Sequence, residues 1–265
     1  MKYETLLVEK DSGVATVTLN RPEVMNAVSE TMGREFMEAM DSLGQDEATR
    51  VIVLKGAGRG FCSGADVRRF AQAVEARRRG EKVTGMGSML RGRGPLLLRE
   101  MSKPIIASIH GPCVGLGFTI ALACDIRIAA EDVQIGAIFT RVGLMPEFGS
   151  TYFLPRLVGV AKAMELCLTG RIFGAQEALQ IGYVNKVVPA DALEKETQAM
   201  ARQIAAGPPL ATGIIKNLLY QGLSCDLAAQ FQAEGLGIQH LFESEDHAEG
   251  VAAFLEKRAP LFKGR

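Results

Sequence analysis

The sequence predicts an α/β protein, with a β-rich core over residues 1–195 and a purely helical region over 196–265. Three observations carry that expectation. Short apolar runs bounded by turn residues recur through the first part of the chain, among them Val14–Leu19 and Arg50–Lys55. Two such runs lead into a glycine-rich turn and then a helical pattern, the alternation that builds parallel sheets. Beyond Asp191 only helical periodicities remain, broken at Gly207-Pro208-Pro209.

Taken in order, Thr5–Val8 and Val14–Leu19 read as strands joined by an Asp11-Ser12-Gly13 turn, and Asn20-Arg21-Pro22 ends the pair. Ser29 is a suitable N-cap for a helix to about Gly44, whose Met32, Phe36, Met40 and Leu43 recur at helical spacing. Arg50–Lys55 is a buried strand, Gly56–Gly64 a loop, and a helix runs from Asp66 to the Arg77-Arg78-Arg79-Gly80 run. Gly80–Pro95, with four glycines among its interior and flanking polar residues and no apolar period, reads as a mobile loop. Lys103–Ile109 is a second buried strand. Gly111–Gly117 turns into a small-residue helix ending near Ala123, and Asp125–Ala130 is a third strand. Leu144–Ser150 reads as a loop, followed by helices at 151–158, 160–169 and 175–180 and a strand at 183–188.

Composition narrows the function classes. At 265 residues, with 48% hydrophobic and 23% charged residues, the chain needs no disulfide or metal staple. Thirty basic residues balance thirty acidic ones, which speaks against a surface that grips nucleic acid or anionic lipid. Five cysteines without a CxxC pair suit a reducing compartment, and no metal site is expected. The acidic residues Glu4, Glu9 and Asp11 near the start do not fit a secretory leader, so a cytoplasmic location is expected. Pro104–Cys124 carries no charge over 21 residues, yet His110-Gly111-Pro112 in its middle argues against a membrane span.

Two segments carry chemistry. Gly56–Asp66 follows a strand and opens a helix, a geometry that presents backbone N–H groups to an anion or a polarised oxygen. It is not a dinucleotide fingerprint: Gly58 and Gly60 are followed by Gly64 rather than a glycine at position 63, although Arg77–Arg79 could mimic an NADP phosphate site. His110–Gly117 repeats the device and offers a second N–H near Leu116; two converging amides would form an oxyanion hole for a carbonyl oxygen gaining charge.

The phrases Phe61-Cys62-Ser63-Gly64-Ala65-Asp66, Gly111-Pro112-Cys113-Val114-Gly115-Leu116-Gly117, Ala123-Cys124-Asp125, Pro155-Arg156-Leu157-Val158-Gly159, Leu168-Thr169-Gly170 and the ending from Glu249 to Arg258 resemble the enoyl-CoA hydratase/isomerase (crotonase) superfamily along nearly the whole chain. The resemblance implies a spiral of ββα units with a C-terminal helical trimerisation region, an acyl-CoA substrate, and a homotrimer or a dimer of trimers. No cofactor is implied beyond the coenzyme A of the substrate itself, and no nucleic-acid or membrane partner. It puts Ala65 and Leu116 at the oxyanion amides. Arg59, Phe61, Cys62, Ser63, Ala65 and Val67 fall along coenzyme A, and Lys263 in the tail segment that reaches coenzyme A on a neighbouring subunit.

Hydratases of this family orient and activate water with two glutamates, and the matching positions here are Thr119 and Phe139, neither of which can act as a general base. Family isomerases often carry one acid in a loop of the form L-x-P-[DE]-x-G, which Leu144-Met145-Pro146-Glu147-Phe148-Gly149 matches. Glu147, flanked by the apolar Met145 and Phe148, is the expected acid/base, with a pKa raised toward neutrality. The expected reaction is therefore 3-enoyl-CoA to 2-enoyl-CoA isomerisation. Hydration is the nearest alternative, a dehalogenase or hydrolase with Glu147 as nucleophile a further one, and a non-catalytic CoA-binding protein the alternative of another class. A hydrolytic histidine is missing between Cys62 and Ile109. Asp66 and Asp125 read as turn or cap residues, His110 as a core histidine, and the Cys62 thiol as a buried small side chain. From Asp66 to Glu100 nine basic residues face four acidic ones, a surplus suited to a solvated helix face or to the CoA phosphates.

Overall fold

The computed structural model describes residues 3–81 and 93–265, so the middle of the expected Gly80–Pro95 loop lies outside the described residues. β1 (Leu6–Asp11) and β2 (Val14–Leu19) form an antiparallel hairpin. Its two-residue turn uses positive φ at Ser12 (50°) and Gly13 (81°), which matches the twist of the flanking strands. β3 (Val51–Gly56), β4 (Ile105–Ile109), β6 (Ile126–Ala130) and β9 (Lys186–Val188) add in parallel, giving a six-stranded sheet of order β1-β2-β3-β4-β6-β9. A second, three-stranded sheet holds β5 (Pro112–Val114), β7 (Gln134–Gly136) and β8 (Ile172–Gly174). From β4 to β7 consecutive strands alternate between the sheets: β4 then β5, β6 then β7. That is the spiral of ββα turns the resemblance implies.

The inner strands of the large sheet, β2, β3, β4 and β6, are buried on both faces, and period-2 alternation sorts their side chains into two cores. Ala15, Val17, Ile52, Leu54, Ile105 and Ala107 face the larger core, which includes α1 (Glu30–Gln45). Val14, Val51, Val53, Ile106 and Ile128 face a smaller core closed by Leu193, Ala201 and Ala205 of α8 (Leu193–Ala205). Each fully buried Val or Ile stabilises this layering by roughly 1.5–3 kcal/mol. The division at residue 195 therefore falls within a helix that covers the central sheet.

α1 begins where expected: Ser29 Oγ accepts from Met32 N at 3.1 Å. α2 (Val67–Arg78) is capped by Asp66, and α3 (Gly94–Glu100) follows the undescribed residues. α4 (Leu116–Ala123) is short and buried along its whole length, as a helix of small and apolar residues must be. The uncharged 104–124 stretch is thus two strands and a helix, and no helix among the described residues is long and apolar enough to cross a membrane. α5 (Ser150–Val158), α6 (Val160–Thr169) and α7 (Ala175–Gln180) follow. The strand expected from residue 183 is confined to Lys186–Val188, because the Tyr183 ring turns into the core and its hydroxyl donates to the Phe118 carbonyl at 2.9 Å.

The C-terminal helices are α9 (Pro209–Gly222), α10 (Leu227–Phe242) and α11 (Glu245–Glu256). One buried network ties α9 to the core. Lys216 Nζ sits 2.8 Å from Asp125 Oδ2 and donates to the carbonyls of Leu98 and Lys103, while the Tyr220 hydroxyl donates to Asp125 Oδ1 at 2.8 Å. Asp125 also accepts from Ile105 N at 2.7 Å, so it is a cross-link between elements as well as a turn residue.

Candidate active site

The two glycine-rich turns run side by side. Phe61 N donates to His110 O, Cys62 N to Pro112 O and Val114 N to Cys62 O, at 2.9, 3.0 and 3.1 Å, so the first loop pairs in parallel with the start of the second unit. Such close backbone approach needs glycine: a methyl at Gly117 would collide with the Cys62 carbonyl, and one at Gly111 with the Arg59 carbonyl. Where the loops end, the Cβ that Gly64 lacks would lie 3.6 Å from Leu116 N. The amides of Ala65 and Leu116 are therefore neighbours, and neither donates to a partner among the described residues. Leu116 N heads α4, where the first turn leaves its N–H groups without intrahelical acceptors.

What braces this arrangement is a residue that sequence reasoning passed over. Asn26 is fully buried in a left-handed conformation (φ 55°). Its carboxamide donates to the carbonyls of Ala57 and Gly60 at 2.8 and 2.9 Å and accepts from Arg21 N at 2.9 Å. Ala57 and Gly60 lie more than 30 residues away on the first loop, so no local pattern announces the role. Asp66 closes the loop: it caps α2 through Arg68 N, pairs with Arg21 and Arg68, and the Arg68 hydrogen bond holds its carboxyl down at about 2. His110 is half-buried rather than a core residue, and its Nε2 lies 3.0 Å from the Gly58 carbonyl, bracing one loop against the other.

Glu147 stands beside α4. Thr119 Oγ1 donates to Glu147 Oε1 at 3.2 Å and lies 3.1 Å from the Leu116 carbonyl, so the carboxylate sits at the first turn of the helix whose leading amide is free. Burial pushes the Glu147 carboxyl up to about 7, with the Thr119 hydrogen bond acting in the opposite direction. The apolar surroundings differ from the expectation in one respect. Phe148 is buried, whereas Met145 is 67% exposed. Phe148 and Gly149 are both left-handed (φ 55° and 75°), a tight reversal before α5 that turns the Glu147 side chain inward while the chain passes on. Thr119 and Phe139, at the positions where family hydratases carry glutamates, are both buried.

The residues expected along coenzyme A divide into two groups. Arg59 and Val67 are exposed and Ser63 is half-buried, its hydroxyl donating to Val24 O at 3.2 Å. Phe61 and Cys62 point into the core, so these two can meet a ligand only through their backbone, and burial drives the Cys62 thiol up to about 12. Of the local basic surplus, Arg68, Arg79 and Arg93 are engaged with Asp66, Glu81 and Glu100. Lys263 is exposed on a tail docked at the opposite end of β3. Asp246 accepts from its backbone N at 2.6 Å, and Arg50, which precedes β3, donates to Phe262 O at 2.6 Å. Gly56–Ala65 lies at the far end of that strand, so Lys263 does not reach its own chain's loop.

Two neighbouring free amides and, at the first turn of α4, a half-buried carboxyl pushed up to about 7 are the parts suited to drawing a proton from carbon next to a carbonyl and holding the charge that results. Enzymes that work through a thioester enolate have that requirement. The chain belongs to the enoyl-CoA hydratase/isomerase family, whose model matches residues 9–265. It is 39% identical to a probable enoyl-CoA hydratase of Rhodobacter capsulatus, over 100% of both chains. It is 35% identical to the 1,2-epoxyphenylacetyl-CoA isomerase of Escherichia coli, over 99% of both. Among solved structures, an enoyl-CoA hydratase from Bacillus anthracis superimposes with a TM-score of 0.91 at 35% identity, covering 99% of this chain and 100% of that one.

Proposed function

We propose that this family member shifts a double bond, converting 3-enoyl-CoA to 2-enoyl-CoA, with Glu147 as the acid/base. The observation that carries the reading is the solitary carboxylate: Glu147 lies against Thr119, and both positions of the hydratase glutamates are filled by residues that cannot take a proton. Glu147 removes a proton from C2, where the thioester and the double bond both acidify the C–H bond. The electron pair left behind forms C1=C2 as the thioester carbonyl opens to an oxyanion, which the Ala65 and Leu116 amides stabilise. The C3=C4 pair then takes the same proton at C4, while the C1=C2 pair moves to C2=C3 and the carbonyl re-forms. No activated water is needed. The Escherichia coli relative is likewise named an isomerase of a CoA thioester, though of an epoxide and not of an enoyl chain.

A second reading, hydration of 2-enoyl-CoA, is favoured by the names of several relatives. Purified protein assayed with both substrates separates the two. Isomerisation should exceed hydration, Glu147→Gln should lose about 100-fold or more of it, and kcat/KM should fall below pH of about 7 as the carboxylate is protonated. Efficient hydration, or an unimpaired Glu147→Gln, would overturn the proposal.

The reading extends to the assembly: a homotrimer or dimer of trimers in which Arg59, Ser63 and Val67 line the nucleotide end of coenzyme A. Lys263 of a neighbouring copy then completes it, consistent with a tail held away from its own loop. A reducing, cytoplasmic setting fits the free thiols of Cys62, Cys113, Cys124, Cys167 and Cys225.

A further inference from the structure

The Thr119 hydroxyl carries one proton and lies within reach of two acceptors, the Leu116 carbonyl and Glu147 Oε1. A carboxylate is the stronger acceptor, so the ionised base claims that proton. Glu147 Oε2 accepts from no group among the described residues. The side chain of Thr119 is itself closely confined: fully buried, β-branched, and set in a helix that is buried on every side. Leu116 consequently anchors both halves of the chemistry, its N–H as oxyanion donor and its C=O as the second contact of the hydroxyl that holds the base.

We propose that Thr119 is the positioning residue of this site: it pins Oε1 of Glu147 to the first turn of α4, so that Oε2 alone carries the travelling proton and the base stays in register with the Leu116 amide. The inference rests on the isomerase reading above for its catalytic consequence, while the contact itself does not. It accounts for a polar residue in an otherwise apolar helix. It also explains how one carboxylate can serve two carbons: a base fixed through one oxygen delivers from the other without rotating.

Among the described residues no other carboxylate competes for the role. α4 carries no titratable group; of the elements packed on it, β5 carries the buried Cys113, and α3 and α5 present Arg99, Glu100, Tyr152 and Arg156. Arg99 and Arg156 stack on the Tyr152 ring, and Glu100 pairs with Arg93. Nearby Arg141 is exposed. None of these charges perturbs the Glu147 titration.

The test compares Thr119→Val, which keeps the shape and removes the hydroxyl, with Thr119→Ser, which keeps the hydroxyl. Losing a hydrogen bond that favours the carboxylate should raise the Glu147 pKa by about one unit, which lowers kcat/KM about fivefold at pH 7 and restores it at alkaline pH. With substrate deuterated at C2, Thr119→Val should also return less deuterium to C4, and Thr119→Ser should behave like wild type in both respects. The Glu147 carboxyl is titrated in parallel by 13C NMR, its resonance assigned by its disappearance in Glu147→Gln. An unmoved Glu147 titration in Thr119→Val, or in Thr119→Ala should the valine variant not fold, overturns the contact. A moved titration with unchanged deuterium return overturns the positioning role. Full activity of Glu147→Gln overturns the isomerase reading, and the NMR arm still decides whether Thr119 holds the carboxylate.

Discussion

Glu147 has a cost that can be measured without substrate. Its carboxyl titrates near pH 7 in the folded chain against 4.5 when unperturbed, so between those values the folded state holds a proton that the unfolded state releases. The associated stability is present below pH 4.5 and lost as pH rises through 7. Glu147→Gln, which does not titrate, should therefore be more stable than wild type above pH 7, by on the order of 3 kcal/mol, with the gap closing toward pH 4.5. Urea unfolding at pH 5 and pH 8 measures it, and equal gaps at both would contradict the burial argument. The residue itself was legible in the sequence from its loop motif. Its partner was not: Thr119 read only as a missing glutamate, because a hydroxyl contact across 28 residues leaves no trace in spacing.

At the level of elements, the site depends on two backbones lying closer than any side chain allows. Gly117 sits in the first turn of α4 against the Cys62 carbonyl, so Gly117→Ala must push α4 away from the first loop. Both a stability loss of about 1–3 kcal/mol and a fall in kcat with little change in overall secondary structure are expected. Thermal unfolding followed by circular dichroism, alongside the isomerase assay, checks both; an active, fully stable variant would mean the loops need not touch. Ser29 and α1 were foreseen almost to the residue, whereas the first strand, expected at Thr5–Val8, runs to Asp11. The three-residue strands β5, β7 and β8 were not, since runs this short carry no period and are defined by the sheet they join.

For the molecule as a whole, the C-terminal helices present more apolar surface than one chain can cover. α10 buries none of its residues: Leu227, Phe231, Leu236 and Phe242 are 83, 73, 69 and 62% exposed, and on α11 Phe254 is 83% exposed. Patches of this kind mark association surfaces. Sedimentation should give a trimer or a dimer of trimers at micromolar concentration. Leu227→Asp with Phe254→Asp should shift it toward monomer and weaken coenzyme A binding, if Lys263 of a neighbour contributes to that site. A stable wild-type monomer would contradict both.

The residue order alone was enough for the α/β class, the run of strands and helices, the two glycine turns and the one acidic residue in the late loop, because each is written in local periodicity, turn chemistry or a contiguous motif. Tertiary structure decided the rest: which strands leave the large sheet for the small one, that Phe61 and Cys62 face the core, that Asn26 clamps the first loop, and that Thr119 meets Glu147. The physical reason is common to all four. They depend on backbone and side-chain contacts between segments far apart in sequence, and only the packed chain brings those partners within hydrogen-bonding or van der Waals distance.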